Sequence, residues 1–131
     1  MRLHEYDWGA EGAPAVICLH GVRAHGKRFA RLAEDHLSDR FYIRSFDLLG
    51  HGDSSWDPPW TIDAHVEAVL ASVNAPASWI GHSFGARLVA EMTAHHPELV
   101  ERAVLLDPAL WLTPDVTSRL AEDELRDLSF S

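Results

Sequence analysis

The 131-residue chain holds a single cysteine, Cys18, which excludes an internal disulfide framework and any thiolate metal cluster. A lone thiol fits a reducing compartment. Basic residues are also scarce, with 11 Lys and Arg against 20 Asp and Glu and a formal net charge of -9. So acidic a surface repels phosphate backbones and anionic headgroups, and the one cationic cluster, Arg23, Lys27, Arg28 and Arg31, is sparse. Neither nucleic acid nor a membrane surface is therefore expected as a partner. No apolar run approaches a membrane span, and Met1 to Gly9 interleaves Arg2, His4, Glu5 and Asp7 among apolar residues, unlike a signal peptide. The expectation is a soluble cytoplasmic protein. No H-E-x-x-H motif or Cys/His ligand cluster occurs and the nine histidines are scattered, so neither a metal nor another cofactor is expected.

What the chain does have is apolar material, 47% of its residues, enough for one domain with a core and too little for two. Strand-like and helix-like stretches alternate, the signature of an α/β sheet. Leu3 to Trp8 alternates weakly. Ala15-Val16-Ile17-Cys18-Leu19 is a continuous apolar run, as expected of a strand buried on both faces. Gly26 to Leu37 carries Phe29, Leu32, Ala33 and Leu37 near helical spacing, and Phe41 to Asp47 reads as the next strand. After a loop with a Pro58-Pro59 pair, Thr61 is placed to cap a helix whose apolar face is Ile62, Val66, Val69, Leu70 and Val73. Ala77 to Ile80 is a short strand, Ala86 to His95 a small-faced helix ended by Pro97, and Arg102 to Asp107 a last strand before Pro108. Val116, Leu120, Leu125 and Leu128 predict a final amphipathic helix, with Thr113 as its cap.

Gly81-His82-Ser83-Phe84-Gly85 reads as G-x-S-x-G between a strand and a helix, the context a nucleophile elbow requires. A serine hydroxyl must project clear of the sheet to meet both a base and a substrate, and glycines on either side let helix and strand approach. Two further segments precede it in order, Leu19-His20-Gly21 and Asp47-Leu48-Leu49-Gly50-His51-Gly52-Asp53-Ser54. With them the chain resembles the N-terminal part of an α/β-hydrolase, in which an H-G motif follows the third strand, D-x-x-G-x-G-x-S the fourth and the elbow the fifth. The likeness extends from Leu3 to Asp107. It implies a mostly parallel, doubly wound sheet truncated after about the sixth strand, with residues 1–112 belonging to the hydrolase domain and 113–131 beginning a lid-like helical segment. It also implies Ser83 as nucleophile, since the aspartate-nucleophile branches carry a different residue there. The substrate would be a small molecule with an ester, thioester, lactone or related carbonyl. The backbone amides of Phe84 and Val22 would form the oxyanion hole, with Arg23 as the alternative to Val22. His20, Gly21, Gly50, Gly52, Gly81 and Gly85 would be structural.

The family orders its triad as serine, acid, histidine, yet no histidine follows His96. His82 adjoins Ser83 but points elsewhere in an elbow, His51 suits a backbone hydrogen bond, and His95-His96 suits a helix end. His25, in the loop after the third strand of the family, is the remaining substitute, against its reading as an exposed loop residue. Asp107 ends the strand where a minority of the family places the acid, the alternative being a structural carboxylate. Asp47 and Asp53 are expected to anchor turns. Trp56, Trp60 and Trp111 would rim the pocket or anchor loops. Two expectations follow: a partial serine hydrolase, or a catalytically silent fragment or interaction module that self-associates through an uncovered, apolar last strand.

Overall fold

A computed structural model describes residues 3–110 and Glu122. The expected helix from Thr113, the 113–131 segment and Trp111 lie outside the described residues, Glu122 apart. Five strands, β1 (Glu5–Trp8), β2 (Ala15–Leu19), β3 (Tyr42–Phe46), β4 (Ala77–His82) and β5 (Val100–Leu106), form one sheet in the order β1-β3-β2-β4-β5. β1 runs antiparallel to β3 and every other pair is parallel. The strand that the family resemblance counts as sixth is thus β5.

The continuous apolar run of β2 is explained by burial on both faces. Ile17 and Leu19 join a core that includes Phe46, Trp79, Val69, Leu88 and Met92, whereas Val16 and Cys18 join a second core with Ile43, Phe29 and Ala33. Burial pushes the Cys18 thiol up to about 12, so it packs as an inert side chain. Helices α2 (Ile62–Ser72) and α3 (Phe84–His95) cover the first face.

Three expectations about elements change. The segment predicted as one helix from Gly26 to Leu37 is a 3-10 turn (Gly26–Phe29), a short α-helical turn α1 (Ala30–Leu32) and a wider π-type turn (Ala33–Leu37). It is tied at both ends: the Ser45 hydroxyl donates to the Gly26 carbonyl at 2.7 Å, and the Ser38 amide donates to the Ala33 carbonyl at 2.8 Å. In α2 the Thr61 hydroxyl does accept from the Ala64 amide at 3.1 Å, but the core-facing stripe includes His65, Ala68 and Ser72, while Val66 and Leu70 are half-buried. Ser72 faces inward because its hydroxyl donates to the Ala68 carbonyl and accepts from the Leu3 amide, both at 3.1 Å. β4 runs two residues further than expected, carrying Gly81 and His82 within the sheet.

Asp47, fully buried just past β3, holds the loops at the carboxyl ends of the strands together. It accepts from the Gly26 amide at 2.7 Å, the Asp53 amide at 2.9 Å and the Tyr6 hydroxyl at 2.9 Å. Burial alone would raise its pKa, but these donors outweigh it and hold the carboxyl below its ordinary value. Gly52 is required beside it. Its φ is +49°, and a Cβ there would lie 2.2 Å from Asp47 Oδ2. Asp53 departs from its expected role, since its amide and not its exposed carboxylate makes the anchoring bond. Asp47→Ala strands two backbone donors and is expected to lose about 3 kcal/mol of unfolding free energy in urea, against about 1 kcal/mol for Tyr6→Phe. Equal losses for the two variants would remove the anchoring role.

Candidate active site

Ser83 sits at the junction of β4 and α3 with φ +55° and ψ -111°, a left-handed region that non-glycine residues rarely occupy. The geometry is imposed by close packing on either side. A Cβ at Gly81 would lie 2.6 Å from the Ala86 backbone, and one at Gly85 would lie 2.0 Å from the Leu19 carbonyl oxygen. With those side chains absent, α3 presses onto the ends of β2 and β4. The Ser83 amide donates to the Leu106 carbonyl at 2.9 Å, and its carbonyl accepts from the Ala109 amide at 3.1 Å and the Arg87 amide at 3.2 Å. The turn that aims the side chain is therefore held by β5, by the segment after it and by α3. Phe84 is the first residue of α3, so its amide belongs to the set that helix geometry leaves without an intrahelical acceptor.

The loop after β2 lies alongside. A Cβ at Gly21 would be 3.3 Å from Ser83 Cβ and 3.3 Å from His82 Nδ1, so Gly21 fits between these two side chains. The Ala24 amide donates to the Gly21 carbonyl at 3.2 Å, closing a turn that contains Val22 and Arg23. Two buried histidines support this turn from below. His20 Nε2 accepts from the Leu48 amide at 3.0 Å, so its ring proton sits on Nδ1 and is donated to the Gly21 carbonyl at 2.7 Å. His51 Nε2 accepts from the Arg23 amide at 3.2 Å while Nδ1 donates to the Leu49 carbonyl at 3.0 Å. Both rings are thereby fixed as neutral tautomers, 4.9 Å apart between centroids. Gly50, at φ +74°, faces the Trp60 indole.

Asp107 is exposed and follows Leu106, the residue that pairs with the Ser83 amide; its own φ of +48° is also left-handed. His25 is exposed and lines a cleft with Arg23, Lys27 and Trp56. His95 lies at the end of α3, 3.4 Å from Glu91. Among the described residues no histidine is hydrogen-bonded to Ser83. Trp56 is half-buried with its indole donating to the Gly52 carbonyl at 2.9 Å, and Trp60 is buried. His4, Asp47 and Asp53 bring ligand-type atoms within 4.8 Å of one another, a grouping that sequence distance conceals. The hydrogen bonds of Asp47 account for that grouping.

Sequence reasoning missed His65. It is 2% exposed, packs edge-on against Phe84 at 5.0 Å, and its Nδ1 has no hydrogen-bond partner. A histidine in an amphipathic helix that also carries Asp63 and Glu67 gives no local signal; only its position in α2 opposite Phe84 reveals it.

The model of the alpha/beta hydrolase fold family matches residues 14–128. The chain is 43% identical over 116 residues to Lipase LipV of Mycobacterium tuberculosis, covering 86% of this chain and 44% of that protein. It is 38% identical over 93 residues to a pimeloyl-[acyl-carrier protein] methyl ester esterase of Chromobacterium violaceum, covering 71% of this chain and 36% of the relative. A hydrolase from Pseudomonas aeruginosa PA01 superposes with a TM-score of 0.77 at 26% identity, over 84% of this chain and 43% of that one. The chain spans less than half the length of each.

Burial, with a smaller contribution from nearby His51, holds both His20 and His65 down to about 3 from an ordinary 6.5. Below pH 6.5 the unfolded chain binds protons that the native rings refuse. Stability from this source is complete above pH 6.5 and falls as the pH drops toward 3, by about 1.4 kcal/mol per pH unit for each ring. Asp7, raised to about 6 by partial burial and by Glu5, acts in the opposite sense, so the informative quantity is a difference between two chains. Wild type minus His65→Leu, measured by urea unfolding between pH 6 and 4, is expected to show a slope of about 1.4 kcal/mol per unit. A flat difference would mean that the buried ring accepts its proton.

Proposed function

Since the chain belongs to the alpha/beta hydrolase fold family, we propose that Ser83 is the nucleophile of a serine hydrolase acting on a small-molecule ester, thioester, lactone or related carbonyl. The observation that carries this reading is the strained φ of Ser83 at a strand-to-helix turn. The chain's likeness to a lipase and to a methyl ester esterase favours ester chemistry. The Ser83 oxygen adds to the carbonyl carbon while a base takes the hydroxyl proton, and the carbonyl electrons move onto oxygen. Collapse expels the alcohol, which receives that proton, and water then repeats the sequence on the acyl-enzyme. The amides of Phe84 and Val22 receive the oxyanion, aided by the positive end of α3. Arg23 is the weaker donor because its amide is committed to His51. Among the described residues no histidine is hydrogen-bonded to Ser83, and Asp107, beside the elbow, is the candidate acid.

A second reading is supported by β5. Its outer edge pairs with no strand among the described residues, and Val104, Leu105, Leu106 and Leu110 are 48%, 38%, 44% and 51% exposed. An apolar strand edge of this kind is a template for association with a second copy. On that reading the chain is an interaction module without turnover.

A fluorophosphonate probe and a short-chain activated ester separate the two. On the hydrolase reading the probe labels the chain stoichiometrically, and added imidazole, standing in for the base, raises ester turnover about tenfold or more. Ser83→Ala abolishes both effects. Absence of any Ser83-dependent labelling or turnover would favour the silent module, which predicts a dimer by size-exclusion chromatography with light scattering. A monomer at high concentration would eliminate the edge-pairing argument.

A further inference from the structure

Phe84, the first residue of α3, carries both the amide proposed to receive the oxyanion and a fully buried ring. That amide shares a peptide plane with the Ser83 carbonyl, whose oxygen accepts from the Ala109 and Arg87 amides. One end of the plane is therefore tied by hydrogen bonds. The other end is Phe84 Cα, where helix geometry supplies the amide with no intrahelical acceptor, so its direction follows from the packing of the Phe84 ring. Among the described residues, the ring that meets Phe84 is His65 of α2, edge-on, with centroids 5.0 Å apart and planes at 75°. His65 fills its place at a cost that an apolar side chain would avoid. The residue is buried, and its Nδ1 has no hydrogen-bond partner among the described residues. An unsatisfied buried nitrogen is destabilising, and leucine has nearly the same volume. What the imidazole offers in return is direction: burial keeps it neutral, and an edge-to-face pair of neutral rings sets an orientation that an aliphatic contact does not. A local cost kept beside a strained residue is what a site looks like when stability has given way to geometry.

We propose that His65 is a positioning residue for Ser83, its ring orienting the Phe84 ring and, through it, the Phe84 amide at the oxyanion site. The inference rests on the hydrolase reading for its chemistry and on the contact between the two rings for its geometry. His65 acts through Phe84 and not on the substrate.

The test is a double-mutant cycle of His65→Leu and Phe84→Leu, which leaves every backbone amide in place. With imidazole present, the second-order rate of Ser83 labelling by a fluorophosphonate is expected to fall about tenfold in His65→Leu, because phosphonylation also develops charge on an oxygen at the Phe84 amide. Urea unfolding near pH 7.5 should find His65→Leu at least as stable as wild type, since the unsatisfied nitrogen is gone. A side chain with a packing role alone would lose rate and stability together. In the Phe84→Leu background the same substitution should change the rate by less than about twofold. Labelling of His65→Leu at the wild-type rate, a rate loss that tracks a stability loss, or equal effects in the two backgrounds would overturn the proposal. A second readout involves no chemistry at Ser83. The order parameter of the Phe84 amide, assigned in 15N-phenylalanine-labelled chain by its loss in Phe84→Leu, is expected to drop in His65→Leu from about 0.85 toward about 0.6. If wild type takes no label while that parameter drops, the hydrolase reading fails and the positioning of Phe84 stands. An unchanged parameter overturns the positioning whatever the labelling shows.

Discussion

The approach of α3 to the ends of β2 and β4, possible only because Gly81 and Gly85 lack side chains, is the constraint on which the rest of the structure depends. With backbone from two elements inside the volume that a Cβ would fill, the connecting residue cannot adopt ordinary strand or helix angles. Ser83 is that residue, and its left-handed φ is the geometric result. The strain persists because β5, the segment after it and α3 all bond to the Ser83 peptide groups. Core packing and the exposure of one side chain are thus a single event.

Around the elbow, polar groups are buried in an order that fixes loops and not charges. Asp47, His20, His51 and Ser54 each bond to backbone from a different segment, and the two histidines remain neutral while the carboxylate is saturated with donors. Such groups are costly to bury without partners, which is why each has two or more. The result is a frame in which Gly21, at the start of the turn after β2, packs against Ser83, and Phe84 opens α3 directly after it. On the proposed hydrolase reading, such a frame is what stabilisation of a developing oxyanion requires.

Much of this was legible in residue order because the signals are local. Glycine spacing around Ser83, the capping hydroxyl of Thr61 and the doubly apolar run of β2 each act within a few residues, and each element formed where those signals stood. The failures share a different cause. The segment from Gly26 to Leu37 has helical periodicity, but attachments to Ser45, Asp47 and the turn before β3 divide it into three kinds of turn. His65 reads as an unremarkable helix residue until α2 is docked against Phe84. Asp47 and Asp53 look alike in sequence, and only three-dimensional placement buries one and exposes the other.

By itself, then, the sequence determined the succession of strands and helices, the elbow and the glycines that make it possible, because backbone conformation at those points is set by side-chain bulk a few residues away. The tertiary structure alone decided which carboxylate anchors the loops, which nitrogen of each buried histidine carries its proton, and which basic residues share a cleft with Trp56. Each of those properties depends on at least one partner 21 or more residues distant in the chain, whose proximity exists only once the sheet has brought its carboxyl-end loops together.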